Sequence, residues 1–345
     1  MAEPQNLTRK LLTGHLMGGR LIPGEEIDLS VDQILIEDAT GSMTALQFEK
    51  LNVDQIAVPL AVMYVDHNVL QVDDKNMDEH RYLQSFSTRY GVHYSRPGNG
   101  ISHYTHLERF AKPGEVLVGA DSHSTMAGAV GMFAVGAGGL DVAVAMAGYG
   151  FSLECPKIVG VELRGQLPDW VQSKDIILEL LRRYGVRGGL GRVFEFTGEG
   201  VATLSVTERG TICNMITEMG ATAAVFPGDE RVRATVLEIA AKLTEHGFCL
   251  RYLVEQTDDG LHGVEGTFLI CSFWLVSALS EIGEGERATQ MLERLLAVAS
   301  PLGLYAEELD PKSGRHLGNY PQAFTHLALI NAVMHVIADE EAAQD

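Results

Sequence analysis

"VGADSHSTMAGAVGMFAVGAGGLDVAVAMAGYG", residues Val118 to Gly150, ends a short apolar run in three hydrogen-bonding side chains, Asp121, Ser122 and His123, and continues into glycine and alanine. An apolar run that breaks into polar residues matches a buried strand leaving the carboxyl edge of its sheet, where open α/β sheets place their ligands. The small residues behind it either let backbone approach backbone or allow helices to pack closely. Similar runs surround it. "QILIE", "AVMYV" before Asp66 and His67, "EVLVG" and "KIVGVELRG" are short, apolar and rich in β-branched residues, as strands buried on both faces are. Between them "DDKNMDEHRYLQSFSTRYG" and "SKDIILELLRRYG" have helical spacing, with Ser173 expected as a cap and Gly91 and Gly185 as stops. The predicted fold class of this region is α/β.

Composition narrows the function classes. The chain has 345 residues, 46% of them hydrophobic, enough for two domains. A formal net charge of -20 repels nucleic acid, and no basic patch offsets it. The longest apolar stretch is glycine-rich and carries Asp141, so no membrane span is expected. "MAEPQNLTRK" has no apolar core, so no secretory signal is read and a cytoplasmic location is expected. Cys155, Cys213, Cys249 and Cys271 form no CxxC pair, a spacing that suits reduced buried thiols better than a metal site.

From about Arg231 the texture changes. "RVRATVLEIAAKLTEHG", "GTFLICSFWLVSALSEIG", "GERATQMLERLLAVASPLG" and "PQAFTHLALINAVMHVIADEE" read as helices with short connections, so residues 1–230 are expected as an α/β region and 231–345 as an all-α one. The join falls within "VFPGDERVR".

The candidate chemistry of the first region lies in Asp66 with His67, His103 in "RPGNGISH", Asp121 with Ser122 and His123, and Asn214 and Glu218 in "ERGTICNMITEMGAT". A carboxylate on one imidazole nitrogen fixes the tautomer and raises the basicity of the other, which makes a positioned proton donor. From the residues alone each histidine reads equally well as a satisfied polar group at a strand end.

"DATGSMTALQFE", "YVDHNVLQ", "YGVHYSRPGNGISHYTHLERFAKPG", the opening stretch, "CPKIVGVELRGQLPDWVQSKDIILELLRR" and "TICNMITEMGATAAVFP" together resemble, collinearly over about residues 7–230, the amino-terminal part of the aconitase and isopropylmalate isomerase family. That resemblance implies an α/β/α three-layer domain, a [4Fe-4S] cluster and dehydration and rehydration of a hydroxy tricarboxylate, citrate to isocitrate through cis-aconitate. It implies that His67, held by Asp66, protonates the departing hydroxyl, that Asp121 pairs with His103 and Glu218 with His123, and that Ser42, Ser122 and Asn214 lie near the substrate. The family's cluster cysteines, in a Ser-Cys-Thr-Asn type segment, have no counterpart in this sequence, and its substrate arginines and proton-abstracting serine are missing too. Cys155 and Cys213 do not stand at ligand positions, so no metal ligand is expected among the residues of this chain.

Residues 225–337 resemble instead the carboxyl-terminal part of glucoamylase-type and trehalase-type glycoside hydrolases, which implies part of an (α/α)6 barrel. Glu307 in "LYAEELDP" falls at that family's general base; otherwise Glu307 and Glu308 read as an acidic helix end. Three functions stand from this: an aconitase-type hydro-lyase, incomplete by itself and acting on a small polycarboxylate; a non-catalytic fusion that keeps the fold; and a glycoside hydrolase. A complementing subunit or self-association is expected, because each half lacks neighbours to cover its apolar faces.

Overall fold

The computed structural model describes residues 5–251 and 266–342. Its chain divides into two units, Met1–Asp229 and Glu230–Asp345. The first opens with helix α1 (Leu7–His15) and strands β1 (Leu16–Gly19) and β2 (Glu26–Leu29). An alternation follows: β3 (Gln33–Glu37), α2 (Asp38–Lys50), β4 (Leu60–Tyr64), α3 (Asp74–Tyr90), β5 (His93–Ser95), α4 (Ser102–Arg109), β6 (Val116–Gly119), a 3-10 segment Ser122–Val130, β7 (Phe133–Gly136) and α5 (Gly139–Met146). Then come β8 (Phe151–Glu154), β9 (Lys157–Glu162), α6 (Ser173–Tyr184), β10 (Arg192–Thr197), α7 (Val206–Met215) and β11 (Ala223–Val225).

Five strands form one parallel sheet in the order β5-β4-β3-β6-β7. The chain builds outward from β3 through β4 to β5, then returns to the other side of β3 for β6 and β7. The order therefore reverses between β3 and β6, and open α/β sheets place their ligands at the strands' carboxyl ends beside such a switch point. All five residues of β3 and all four of β6 are buried, the pattern of strands covered on both faces. Helix α2 packs on α3 and on α5, whereas Ser122–Val130 packs against α4, α7 and β7. A second parallel sheet, β11-β10-β9, and an antiparallel one, β1-β2-β8, complete the unit.

Close backbone approach explains the glycine-rich stretch. A Cβ on Gly136 would stand 2.6 Å from the Asp121 carbonyl, and one on Gly128 would stand 1.8 Å from that of Ala224. Small residues are thus required where β7 and the 3-10 segment run against neighbouring main chain. Helix α3 stops at Gly91, whose φ of 82° is left-handed, as expected from sequence. Helix α6 is capped one residue earlier than expected: Gln172 is the cap, closed by the Asp175 carboxylate, and Ser173 is the first helical residue.

The second unit holds α8 (Glu230–Lys242), β12 (Thr244–Glu245), β13 (Phe248–Cys249), β14 (Thr267–Phe268), α9 (Leu269–Glu281), α10 (Gly285–Ala297), β15 (Glu308–Asp310), β16 (Arg315–Leu317) and α11 (Ala323–Ala342). Its four helices among the described residues include the expected segments, but the unit is not all-α. Strands β12 and β13 form a hairpin, and β14, β15 and β16 form a three-stranded antiparallel sheet. The cause is local turn chemistry in "DPKSG": the Asp310 carboxylate accepts from the Lys312 amide at 3.0 Å and from the Ser313 hydroxyl at 2.5 Å, and Gly314 takes a φ of 70°. The strands are three residues or shorter, too short for alternation to be legible. Part of the segment matched from sequence, residues 252–265, lies outside the described residues. Among the described residues no helix is long and apolar enough to cross a membrane.

Candidate active site

The carboxyl ends of β3, β4 and β6 deliver Glu37 and Asp38, Asp66 and His67, and Asp121 to His123 to one crevice, and α4 brings His103 beside them. Asp38 is the anchor. Its carboxylate is fully buried and accepts three consecutive backbone N–H groups, from Asp66 at 3.2 Å, His67 at 2.9 Å and Asn68 at 2.9 Å. His80, buried on α3, stands 3.3 Å from its other side. The loop after β4 is thereby held from beneath by a charge.

Asp66 faces two ways. One oxygen meets His67 Nδ1 at 2.9 Å; the other accepts the Ser102 amide at 2.7 Å at the start of α4. Glu37 lies 3.4 Å from His67 Nδ1 while it caps α2 through the Thr40 amide at 3.1 Å and the Thr40 hydroxyl at 2.5 Å. Burial, opposed by those hydrogen bonds, holds the Glu37 carboxyl above the usual glutamate range. Burial works against a charge on His67, but the Asp66 hydrogen bond and the charges of Glu37, Asp66 and Asp121 outweigh it and raise the imidazole pKa.

Three imidazoles converge on Asp121. Its Oδ1 lies 2.8 Å from His103 Nε2 and 3.6 Å from His123 Nδ1, its Oδ2 lies 4.0 Å from His67 Nε2, and it accepts the His123 amide at 2.7 Å. Burial alone would push this carboxyl up; the bonds to His103 and to the His123 amide prevail and hold it at about 2. His123 Nε2 stands 3.3 Å from Glu218, and Ser122 Oγ stands 3.3 Å from His123 Nδ1. Of the other residues expected near the substrate, Ser42 donates to Glu79 at 2.6 Å, and the Asn214 amide meets the Met126 sulfur at 3.8 Å. The site is open, with the His67 side chain 40% and that of Glu218 54% exposed.

Sequence reasoning missed Glu37, Asp38 and His80. The first two had a signal, since the apolar run Ile34–Ile36 ends in two adjacent carboxylates that must both be satisfied. His80 gave none.

Residues 9–244 match the family model of the aconitase family (aconitate hydratase). The chain belongs to the aconitase family. Mitochondrial aconitate hydratase of Schizosaccharomyces pombe is 38% identical over 244 residues, 67% of this chain and 31% of that protein. The Saccharomyces cerevisiae protein of that name is 38% identical over 242 residues. Residues 206–334 match a second model, glycosyl hydrolases family 15, and trehalase of Mycolicibacterium smegmatis is 72% identical over 115 residues, 33% of this chain. The chain thus spans 31% of the length of the aconitate hydratases and 17% of that of the trehalase.

The aconitase family implies a [4Fe-4S] cluster, which needs several converging thiolates. The residues of this chain do not fit one. Cys213 is fully buried with its thiol 3.9 Å from the Ala224 carbonyl, and burial pushes it far up from the usual thiol range. Burial likewise raises Cys155, and it takes Cys249, with help from Cys271, to about 12. Among the described residues, the groups able to hold an ion are His103, Asp121 and His123, and Glu37, Asp38 and His67, with no cysteine in either.

Glu307 belongs to the second unit. It is not at a helix end: it precedes β15, and its carboxylate accepts from the Asn319 amide at 3.2 Å and side chain at 3.0 Å. Glu308, at the start of that strand, accepts the Gly266 amide at 3.0 Å.

Proposed function

We propose that the first unit is the acid half of a hydro-lyase site for a hydroxy polycarboxylate of the citrate and isocitrate class. The observation that carries this is the convergence of His67, His103 and His123 on Asp121. His67, charged with the help of Asp66 and Glu37, turns Nε2 toward the crevice, where it can give its proton to a departing hydroxyl. Asp121 and His103 hold each other in register, and Glu218 steadies the outer nitrogen of His123. No converging thiolates are present among the described residues to hold the family's cluster, so full isomerisation through cis-aconitate is expected only with a complementing subunit that brings thiolates and arginines. Helices packed about the parallel sheet support a three-layer α/β/α organisation for residues 1–230, joined near "FPGDERVR" to a glycoside-hydrolase-like segment, residues 231–345. The same chemistry without turnover defines the non-catalytic alternative.

Citrate should raise the melting temperature of the whole chain, and His67→Ala should abolish that shift. A wild-type chain indifferent to citrate and unable to consume cis-aconitate would leave only the fold.

The match to trehalases favours a second possibility, hydrolysis of a glycosidic bond with Glu307 as general base. Its carboxylate is oriented by Asn319, but one carboxylate cannot both protonate the leaving group and activate water. Maltose or trehalose cleavage, lost on Glu307→Gln, is what this would require.

A further inference from the structure

We infer that His103, Asp121 and His123 form a binding site for one divalent transition-metal ion of the zinc, cobalt or ferrous class. One ligand atom from each lies within 4.8 Å of the others. A tetrahedral ion with Zn–N bonds of about 2.0–2.1 Å spaces its ligand atoms roughly 3.3 Å apart. The separations of Asp121 Oδ1 from His103 Nε2, 2.8 Å, and from His123 Nδ1, 3.6 Å, bracket that spacing. Two imidazoles and a carboxylate suit borderline metals and leave coordination positions for water or a ligand.

The surroundings are arranged for coordination. Glu218 stands 3.3 Å from His123 Nε2, so the carboxylate holds the outer nitrogen and leaves Nδ1 turned to Asp121. Asp66 likewise holds Nδ1 of His67, whose Nε2 stands 4.0 Å from the second Asp121 oxygen, outside the proposed ligand set. His103 offers the site Nε2, which faces Asp121 at 2.8 Å, while its Nδ1 is buried without a protein partner. With the ion on Nε2 the ring proton must sit on that buried Nδ1, which weakens the site relative to one with a completed outer shell. The charge balance favours a cation, since Glu37, Asp66, Asp121 and Glu218 face three imidazoles in a chain of net charge -20. An ion here would also offset the charge of a polycarboxylate in the same crevice. The inference stands whether or not the hydro-lyase proposal holds, because its readout is coordination and not turnover.

The test is titration of the intact chain with Co2+, followed by desalting and visible absorption. The expected result is a single retained equivalent with ligand-field bands, lost in His123→Gln and Asp121→Asn and weakened roughly 10-fold or more by Glu218→Gln. His123 is partly exposed, so His123→Gln keeps the test open should Asp121→Asn, which also loses a backbone acceptor, fail to fold. No retained ion, retention unchanged in His123→Gln, or an intense sulfur-to-cobalt charge-transfer band would each overturn the proposal.

Discussion

Asp38 shows how much of the site depends on one fully buried side chain. Three backbone N–H groups and His80 all address a carboxylate that has no contact with water. Removing one partner of a buried charged network leaves the others uncompensated, at a cost of about 3–5 kcal/mol. Asp38→Ala should lower unfolding stability by that amount in urea titration, and Asp38→Asn, which keeps an acceptor, by clearly less. Equal losses would mean that the charge is immaterial and only the shape matters. Asp121 plays the complementary part, since without it the imidazoles of the crevice lose their common partner.

Among the elements, the ends of α1, β3 and β6 are tied by a single ion pair. His15 Nε2, in the last turn of α1, meets Asp32 at 2.9 Å, and Asp32 also accepts the Val116 amide at 2.8 Å. The hydrogen bond to Asp32 raises the pKa of His15, although burial opposes it. Burial pushes Asp32 up, but His15 and the Val116 amide outweigh it, and the net shift is downward. A raised histidine contributes stability that is full below its ordinary value of 6.5 and fades as pH climbs through the raised value. A lowered aspartate contributes stability that is full above its ordinary value of 3.8 and fades as pH falls through the lowered one. The pair should therefore stabilise the fold most between about pH 3.8 and 6.5. Thermal melts from pH 5 to 9 should show Asp32→Asn losing most stability at the acid end of that range and converging on wild type at the alkaline end. A constant offset across the range would refute the assignment.

At the scale of the whole molecule, two matched families meet in one chain that spans only part of each set of relatives. The apolar surface of α11 belongs to this scale. Leu327, Ile330, Met334 and Ile337 recur at helical spacing and are 50%, 57%, 60% and 42% exposed. Apolar stripes of this kind drive association. Light scattering should show concentration-dependent oligomers that a paired Ile330→Lys and Met334→Glu substitution reduces. A monomer at all concentrations would show the stripe to be inert.

Sequence by itself determined the α/β class of the first unit, both family resemblances and the local pairs, because each rests on short-range order. An apolar run that ends in polar residues, helical spacing with a terminal glycine, and Asp66 beside His67 are all visible within a few positions. It did not reveal the strands of the second unit, which are set by turn hydrogen bonds over runs too short to alternate. Only the tertiary structure decided that Asp121 is shared by three histidines, that Asp38 and His80 underlie the loop after β4, and that Cys213 faces a carbonyl. These depend on strand order and register, which bring together Asp66 with Ser102, 36 positions on, and His123 with Glu218, 95 positions on. Long-range packing sets that register, and no local pattern in the chain records it.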